Sequence, residues 1–228
     1  MDKTNATPRK RIDTKELTML ALLAALAYVV MFLSKQIPVN VLGFLNFDLK
    51  DVIVCITGFL FGPLAAAGVS LVVSFIEMIT ISSTGPWGLL MNVLSTCAFA
   101  CTAAWFYQRH RTLKGAIIGL VIGVLLMTAV MLLWNYLITP IYMKMPRAAV
   151  AKLLIPTFLP FNLNKGGINA TLTILIYKPI VNALRKARLV KPSTGAGQGG
   201  KKKIGVLIVA AVLLVTFILL ALVLAKVI

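Results

Sequence analysis

The segment PFNLNKGG, residues 160–167, places polar side chains inside an otherwise apolar run. Asn162 and Lys165 are three residues apart, so on a helix they share one face. Together they offer amide donors, an amide acceptor and a charged donor, which suits a ligand rich in carbonyl and ring N–H groups. The alternative is a Lys whose ammonium extends to the membrane surface. The two prolines Pro156 and Pro160 and the two glycines Gly166 and Gly167 around Lys165 predict an irregular or bent helix start there.

Three further polar residues lie inside apolar segments. Asn92 and Asn135 either join helices by hydrogen bonds or face the same ligand. Glu77 carries a charge, and a charged side chain costs about 2.5–3.5 kcal/mol or more at the centre of a bilayer. We therefore expect Glu77 to pair with Lys165 or to cap the turn at Ser82–Ser83, because an unpaired buried charge is strongly unfavourable.

The segment between the first two apolar runs is itself apolar for a loop. Residues 35–47 read KQIPVNVLGFLNF, and their apolar side chains would be poorly placed in water. We expect this loop, with Phe44 and Leu45, to fold over a pocket as a lid. Asp48 and Asp51 flank the start of the next run. We expect one of them to be a helix N-cap, and Asp48 has the position to accept backbone N–H groups.

The composition shows why charged residues in these runs need an explanation. Of the 228 residues, 60% are hydrophobic and 13% are charged, and the mean hydropathy is +0.96. A single soluble core of this length cannot hide so much apolar surface. These values exclude a soluble globular enzyme, a disordered chain and a disulfide scaffold. The net charge of +17 does not indicate nucleic acid, because no basic stripe alternates with exposed aromatic residues.

Apolar runs of about 20 residues predict membrane-spanning helices, and the fold class is therefore an all-α integral membrane protein. Breaks at Gly62–Pro63 and at residues 82–88 divide the longest apolar run into three spans. Seven spans are predicted in total: 17–34, 49–62, 63–81, 86–108, 115–138, 153–177 and 204–225.

The predicted spans divide the chain into four parts. Residues 1–16 form an N-terminal segment, 17–186 a six-span membrane domain, 187–203 a basic flexible linker and 204–228 a seventh transmembrane helix. Most Lys and Arg residues lie before the first span, after the fourth and after the sixth. Because basic residues collect in cytoplasmic loops, we expect the N-terminus in the cytoplasm and the C-terminus outside.

Several kinds of chemistry have no matching residues. The chain has no G-x-x-x-x-G-K-[ST] phosphate loop. The single histidine, His110, lies in the basic run RHR, where it cannot serve a Ser–His pair inside the membrane. Cys55, Cys97 and Cys101 form no CxxC motif and are expected to be buried, inert thiols. We therefore predict no catalytic residue, no metal site and no resident cofactor.

Four segments, in order within residues 15–186, resemble the riboflavin-binding S components of energy-coupling factor (ECF) vitamin transporters. They are FDLKDVIVCITGFLFGPLAAAGVSL, STGPWGLLMN, NYLITPIY and PFNLNKGGINATLTILIYKPI. The resemblance implies a six-helix bundle in the bacterial cell membrane. It also implies that the bundle captures riboflavin near its outer face, beneath the loop joining spans one and two. The implied site residues are Asn162 and Lys165, with Asn135, Asn92, Asp48 and the loop residue Leu45.

The resemblance also implies partners. Such S components dock on a membrane coupling protein driven by two ATPase subunits, through an AxxxA surface on span one. Ala21 and Ala25 stand at that spacing here; by packing alone they are a pair of small residues on one helix face. The seventh span departs from the family pattern. A free-standing secondary transporter for a flavin or another flat vitamin is the alternative function. Binding of FMN stays open, because Lys165 could meet a phosphate.

Overall fold

The computed structural model describes residues 14–43, 45–186 and 200–227. Most of the predicted N-terminal segment, most of the predicted linker and Phe44 lie outside the described residues. The described part is helical except for one short hairpin and the connecting turns. Its elements are α1 (Thr14–Lys35), β1 (Asn40–Val41), β2 (Leu45–Asn46), α2 (Lys50–Phe61), α3 (Pro63–Thr80), α4 (Gly85–Thr96), a π-helical segment π1 (Cys97–Cys101), α5 (Thr102–Arg109), α6 (Leu113–Leu137), α7 (Thr139–Met143), α8 (Arg147–Leu153), a second π-helical segment π2 (Leu154–Phe158), α9 (Leu159–Lys186) and α10 (Gly200–Leu224).

Six helices of the described part are long and apolar enough to cross a membrane. They are α1, α3, the continuous run α4–π1–α5, α6, the continuous run α8–π2–α9, and α10. The remaining predicted span is α2, which has only 12 residues. The prediction of an all-α membrane bundle with an additional C-terminal helix is confirmed.

The short helix α2 lies at the centre of the bundle. It packs against α1, α3, α5 and α9, and its residues from Lys50 to Phe59 are all buried. Neighbours therefore surround α2 on every side, so its charged side chains, Lys50 and Asp51, need partners inside the bundle. The break that ends α2 is the one predicted: Gly62 has φ +105°, a conformation that favours glycine. Pro63 then occupies the first turn of α3, where its missing N–H does no harm.

The predicted irregularity around Lys165 is wrong in its position. Residues 159–186 form one helix, and the irregular turn is π2, which contains Pro156. Gly166 and Gly167 lie inside α9 without breaking it. Their lack of a side chain allows neighbouring helices to pack closely. A Cβ atom on Gly166 would lie 2.8 Å from Cγ1 of Val124 in α6, well inside normal contact distance.

The predicted lid loop folds as a small antiparallel hairpin. Asn40 pairs with Asn46, and Val41 pairs with Leu45. Val41 and Leu45 are buried in an apolar cluster, named here the hairpin cluster. Its buried members are Val41, Leu45, Val150, Phe158 and Phe161. The hairpin therefore rests on α8, π2 and the start of α9, and the start of α9 also lines the site described below.

Candidate ligand-binding site

A cavity of about 250 Å³ lies beneath the hairpin. Its wall is formed by the end of α1, the hairpin, the end of α3 and its following turn, α4, α6 and α9. All six residues that the sequence analysis assigned to a substrate site line this cavity: Leu45, Asp48, Asn92, Asn135, Asn162 and Lys165. Six separate parts of the chain thus converge on one chamber.

The ammonium of Lys165 belongs to this wall. Lys165 is 7% exposed, and its Nζ donates to Oδ2 of Asp48 at 2.9 Å. The side chain is held by this buried ion pair and does not extend to the membrane surface. Because an ammonium has three N–H donors, two remain beyond the one that Asp48 accepts. Asn162, one helical turn earlier, lines the cavity on the same face of α9, as its spacing predicted.

The prediction that Asp48 or Asp51 caps α2 is wrong. The N-cap residue of α2 is Leu49, and no side chain caps this helix. Asp48 pairs with Lys165, and Oδ1 of Asp51 accepts a hydrogen bond from Oγ1 of Thr96 at 2.5 Å. If Asp48 capped α2, the buried ammonium of Lys165 would lose this partner, and an unpaired buried charge is strongly unfavourable.

Glu77 organises a second ion-pair group. Its Oε2 accepts from Nζ of Lys50 at 3.1 Å, and its Oε1 accepts from Lys35 and from Nδ2 of Asn92 at 2.9 Å. The expected partners of Glu77 were Lys165 and the turn at Ser82–Ser83, and the structure corrects both. Residues 35 and 50 approach Glu77 because α1, α2 and α3 pack against one another.

From the sequence, no role was assigned to Lys50 or to Lys35. Lys50 has no exposed surface, and its Nζ also lies 3.7 Å from Oδ1 of Asp48. It links Asp48 to Glu77 and joins the two ion-pair groups into one network. The available signal was the segment DLKD, residues 48–51, where a cation stands between two acids at the start of a span. Since buried charges occur in pairs, this pattern predicts an ion pair for Lys50.

Asp48 remains ionised in this network. It lies between β2 and α2, outside the long spanning helices. Burial alone would raise the pKa of Asp48, but the ammonium groups of Lys165 and Lys50 outweigh burial and hold that pKa well below its usual range. Oδ1 of Asp48 accepts no hydrogen bond from the described residues, so an acceptor stands beside the remaining donors of Lys165.

Two of the amides are partly committed within their own helices. Nδ2 of Asn162 donates to the carbonyl oxygen of Phe158 at 2.7 Å, at the end of π2. Nδ2 of Asn135 donates to the carbonyl oxygen of Met131, and its Oδ1 accepts from Oγ1 of Thr139. Asn162 therefore presents mainly its carbonyl oxygen to a ligand.

The cavity also has an apolar side. Leu45, Met91, Met131 and Phe161 line it, and the rings of Phe47 and Phe161 lie 4.7 Å apart between centroids. Aromatic and thioether side chains of this kind pack well against a flat ring. The chamber thus combines an apolar side with a charged edge that carries donors and an acceptor.

The two alanines predicted for partner docking lie elsewhere, on the opposite side of α1 from the bundle core. Ala21 and Ala25 are exposed, and Leu22 and Leu26 beside them are 50% and 39% exposed. The inward side of the same helix is buried through Leu23, Ala24 and Ala27. We call the outward surface of Ala21, Leu22, Ala25 and Leu26 the α1 face.

Among the described residues, no group of three or more His, Cys, Asp or Glu side chains could hold a metal ion. Cys55, Cys97 and Cys101 are free thiols; Cys55 is buried as expected, whereas Cys97 and Cys101 are only partly buried, which corrects the prediction for these two.

Comparison with known proteins places the chain in a family. The model of the family described as "ECF transporter, substrate-specific component" matches residues 15–177. The chain is 32% identical over 180 residues to the riboflavin transporter RibU of Staphylococcus aureus, covering 76% of this chain and 94% of that protein. It is 29% identical over 184 residues to RibU of Streptococcus thermophilus, covering 76% and 86%. It is 27% identical over 190 residues to the riboflavin transporter FmnP of Bacillus subtilis, covering 78% and 100%.

A solved structure of the S component of a bacterial ECF transporter has a similar fold. The TM-score is 0.63 at 30% sequence identity, and the match covers 74% of this chain and 96% of that one. The spanning helices, the cavity beneath the hairpin and these matches agree with one another. The chain is therefore a multi-pass membrane protein that belongs to the family of substrate-specific components of ECF transporters.

Proposed function

We propose that the protein binds riboflavin in the cavity beneath the hairpin and is the subunit that captures this vitamin for import. The observation that carries the proposal is the Lys165–Asp48 pair on the cavity wall. It sets charged N–H donors beside Oδ1 of Asp48, a carboxylate oxygen that accepts no hydrogen bond from the described residues. The pyrimidine edge of a flavin presents carbonyl oxygens on either side of a ring N–H, which is the complementary pattern. The names of the relatives, riboflavin transporters, support the same ligand.

Each part of riboflavin has a matching part of the cavity. Lys165 donates to a pyrimidine carbonyl and Asp48 accepts from the ring N–H. The apolar side, with Leu45 and Phe161, covers the tricyclic ring. Asn92, Asn135 and Asn162 are the amides available to the hydroxyl groups of the ribityl chain. Binding under the hairpin excludes water, which strengthens these polar contacts.

Import requires free energy that the chain does not supply by itself, since its sequence has no phosphate-binding loop. We infer that a membrane coupling protein with two ATPase subunits drives the import, and that it docks on the α1 face. Small residues let a partner helix approach closely, and Ala21 and Ala25 provide that approach. In this arrangement the N-terminus is cytoplasmic and the cavity opens to the outside of the bacterial cell membrane.

Binding is tested by titrating the purified full-length protein with riboflavin and following the quenching of flavin fluorescence. We expect saturable quenching at one site per chain, and mass spectrometry of the protein as purified should detect riboflavin. A parallel titration with FMN distinguishes the neutral vitamin from its phosphate. Protein that carries no flavin and quenches none would overturn the ligand assignment.

Docking is tested separately by uptake of labelled riboflavin in cells that also produce the coupling protein and ATPases. Ala25→Trp should abolish uptake while riboflavin binding by the purified variant stays unchanged. The control is Val121→Trp, since Val121 is an exposed residue of α6 away from the α1 face. Uptake that persists without the ATPases and stops on addition of an ionophore would favour a free-standing secondary transporter instead.

A further inference from the structure

The helix α10 lies beyond the part of the chain that matches the family model, which ends at residue 177. It packs along α9 through one narrow face. The residues of that face are at least partly buried and recur at alternating steps of four and three: Ala210, Leu214, Phe217, Ala221 and Leu224. The remaining apolar side chains of α10 are largely exposed, as expected for contact with lipid. A sustained spacing of this kind is typical of helices that interlock along a seam.

The middle of this seam lies directly behind the ligand cavity. A Cβ atom on Gly167 would lie 2.5 Å from Cζ of Phe217, so the ring of Phe217 occupies the space that a side chain at position 167 would need. Gly167 follows Lys165 by two residues on α9. Lys165 faces the cavity, while Gly167 faces α10. The position of the Lys165 ammonium is therefore set partly by where α10 holds α9.

The end of α10 reaches the hairpin cluster. Leu224 and Ala225 pack against that cluster, to which the hairpin contributes Val41 and Leu45. The hairpin has only two residues in each strand, and a two-stranded hairpin is marginally stable by itself. Its position over the cavity therefore depends on the apolar contacts beneath it, and α10 supplies part of them.

We propose that α10 is a brace that keeps the hairpin and the start of α9 closed around the cavity, and that Phe217 and Leu224 are its positioning residues. Phe217 fixes the sideways position of α9 through Gly167. Leu224 supports the apolar floor on which Val41 and Leu45 rest. The brace slows the opening of the hairpin and therefore the release of a bound ligand. Its effect on riboflavin rests on the proposed function, whereas its effect on the hairpin does not.

The experiment uses full-length variants with matched controls on the same helix. Phe217→Ala and Leu224→Ala truncate side chains that belong to the seam. The controls Ile218→Ala and Val223→Ala truncate exposed side chains of the same helix. The first measurement is amide hydrogen exchange without ligand. We expect faster exchange in residues 39–47 for Leu224→Ala and in residues 154–167 for Phe217→Ala, with no change for the two controls. Helices α1 and α3 serve as internal references.

The second measurement is the rate of riboflavin release, followed by recovery of flavin fluorescence after dilution. We expect release to be on the order of 5-fold faster in Leu224→Ala, as for a side chain that loses part of its apolar contacts. Exchange in the hairpin and in π2 that matches the controls would overturn the brace, whether or not riboflavin binds. Exchange that rises equally in α1 and α3 would also overturn it, because it would indicate a general loss of stability. If hairpin exchange responds but the unaltered protein quenches no flavin, the brace stands and the proposed ligand falls.

Discussion

The adjacent helices α9 and α10 differ in the polar side chains that they carry within the membrane. The first half of α9 buries a row of polar side chains, including Asn162, Lys165 and Asn169. In α10 the segment 204–225 carries one polar side chain, Thr216, whose hydroxyl donates to the carbonyl oxygen of Val212 in its own helix. Polar groups at membrane depth need partners. Lys165 and Asn169 of α9 find partners on Asp48, in the loop before α2, whereas the single hydroxyl of the α10 segment is satisfied within its own helix.

This difference shows which interactions fix the position of each helix. The polar face of α9 is fixed by specific partners from distant parts of the chain, such as Asp48, 117 residues away from Lys165. α10 is fixed only by the shape of its seam. A substitution in the polar network should therefore change stability or binding strongly, by an amount that depends on the chemical identity of the side chain. The effect of a substitution in α10 should depend only on the side-chain volume.

The largest effect is expected for Lys50→Met, which removes the cation that joins Asp48 to Glu77. Two buried carboxylates would each lose a partner, and breaking a buried ion pair of this kind costs about 3–5 kcal/mol. The free energy of unfolding in detergent, measured by denaturant titration, should fall by that amount. The control is Lys178→Met on the exposed part of α9, which should have little effect. An equal, small loss in both variants would contradict the central role of Lys50.

A smaller effect is expected for Lys165→Ala, measured as riboflavin affinity. Loss of a charge-assisted hydrogen bond should weaken binding by about 1.5–3 kcal/mol. Asp48→Asn should weaken binding as well, and the double variant should lose less than the sum of the two single changes, because the residues contact each other. Lys178→Ala is the control on the same helix. Strictly additive losses would show that Lys165 and Asp48 do not act as one unit on the ligand.

The contact between the two helices gives the third prediction. Gly167→Val places a side chain in the space that the ring of Phe217 occupies, and overpacking of this kind costs about 1–3 kcal/mol. Thermal unfolding should occur at a lower temperature, and adding Phe217→Ala should recover part of the loss because it frees the space. Gly205→Val, at a position with open space around it, is the control. No recovery in the double variant would mean that Phe217 does not occupy that space.

The membrane fold followed from the length of the apolar runs and from the breaks between them. The Gly62–Pro63 break divides α2 from α3 as predicted, because both residues act through local backbone geometry. The convergence of Asn162 and Lys165 on one chamber also followed from spacing along one helix. These features are local, so the sequence is sufficient to find them.

The partners of the buried charges could not be found in the same way. Glu77 pairs with Lys35 and Lys50 and not with Lys165, and that choice is made by how α1, α2 and α3 pack. Asp48 is next to the start of α2, yet its carboxylate pairs with Lys165 of α9 and does not cap the helix. Local rules favour the nearest backbone N–H groups, whereas the folded bundle brings a charge from over 100 residues away.

The smallest effect tests the other side of the comparison. Thr216→Val in α10 keeps the side-chain shape and removes the hydroxyl, whose only described bond is within its own helix. Since no other element depends on that hydroxyl, the free energy of unfolding should change by less than about 0.5 kcal/mol, the range of surface substitutions. Thr96→Val in α4 is the matched change in the polar network, because its hydroxyl donates to the buried Asp51, and leaving a buried carboxylate without that bond should cost about 1–3 kcal/mol. Equal effects of the two substitutions would contradict the distinction, because a hydroxyl in α10 would then matter as much as one that serves a buried charge.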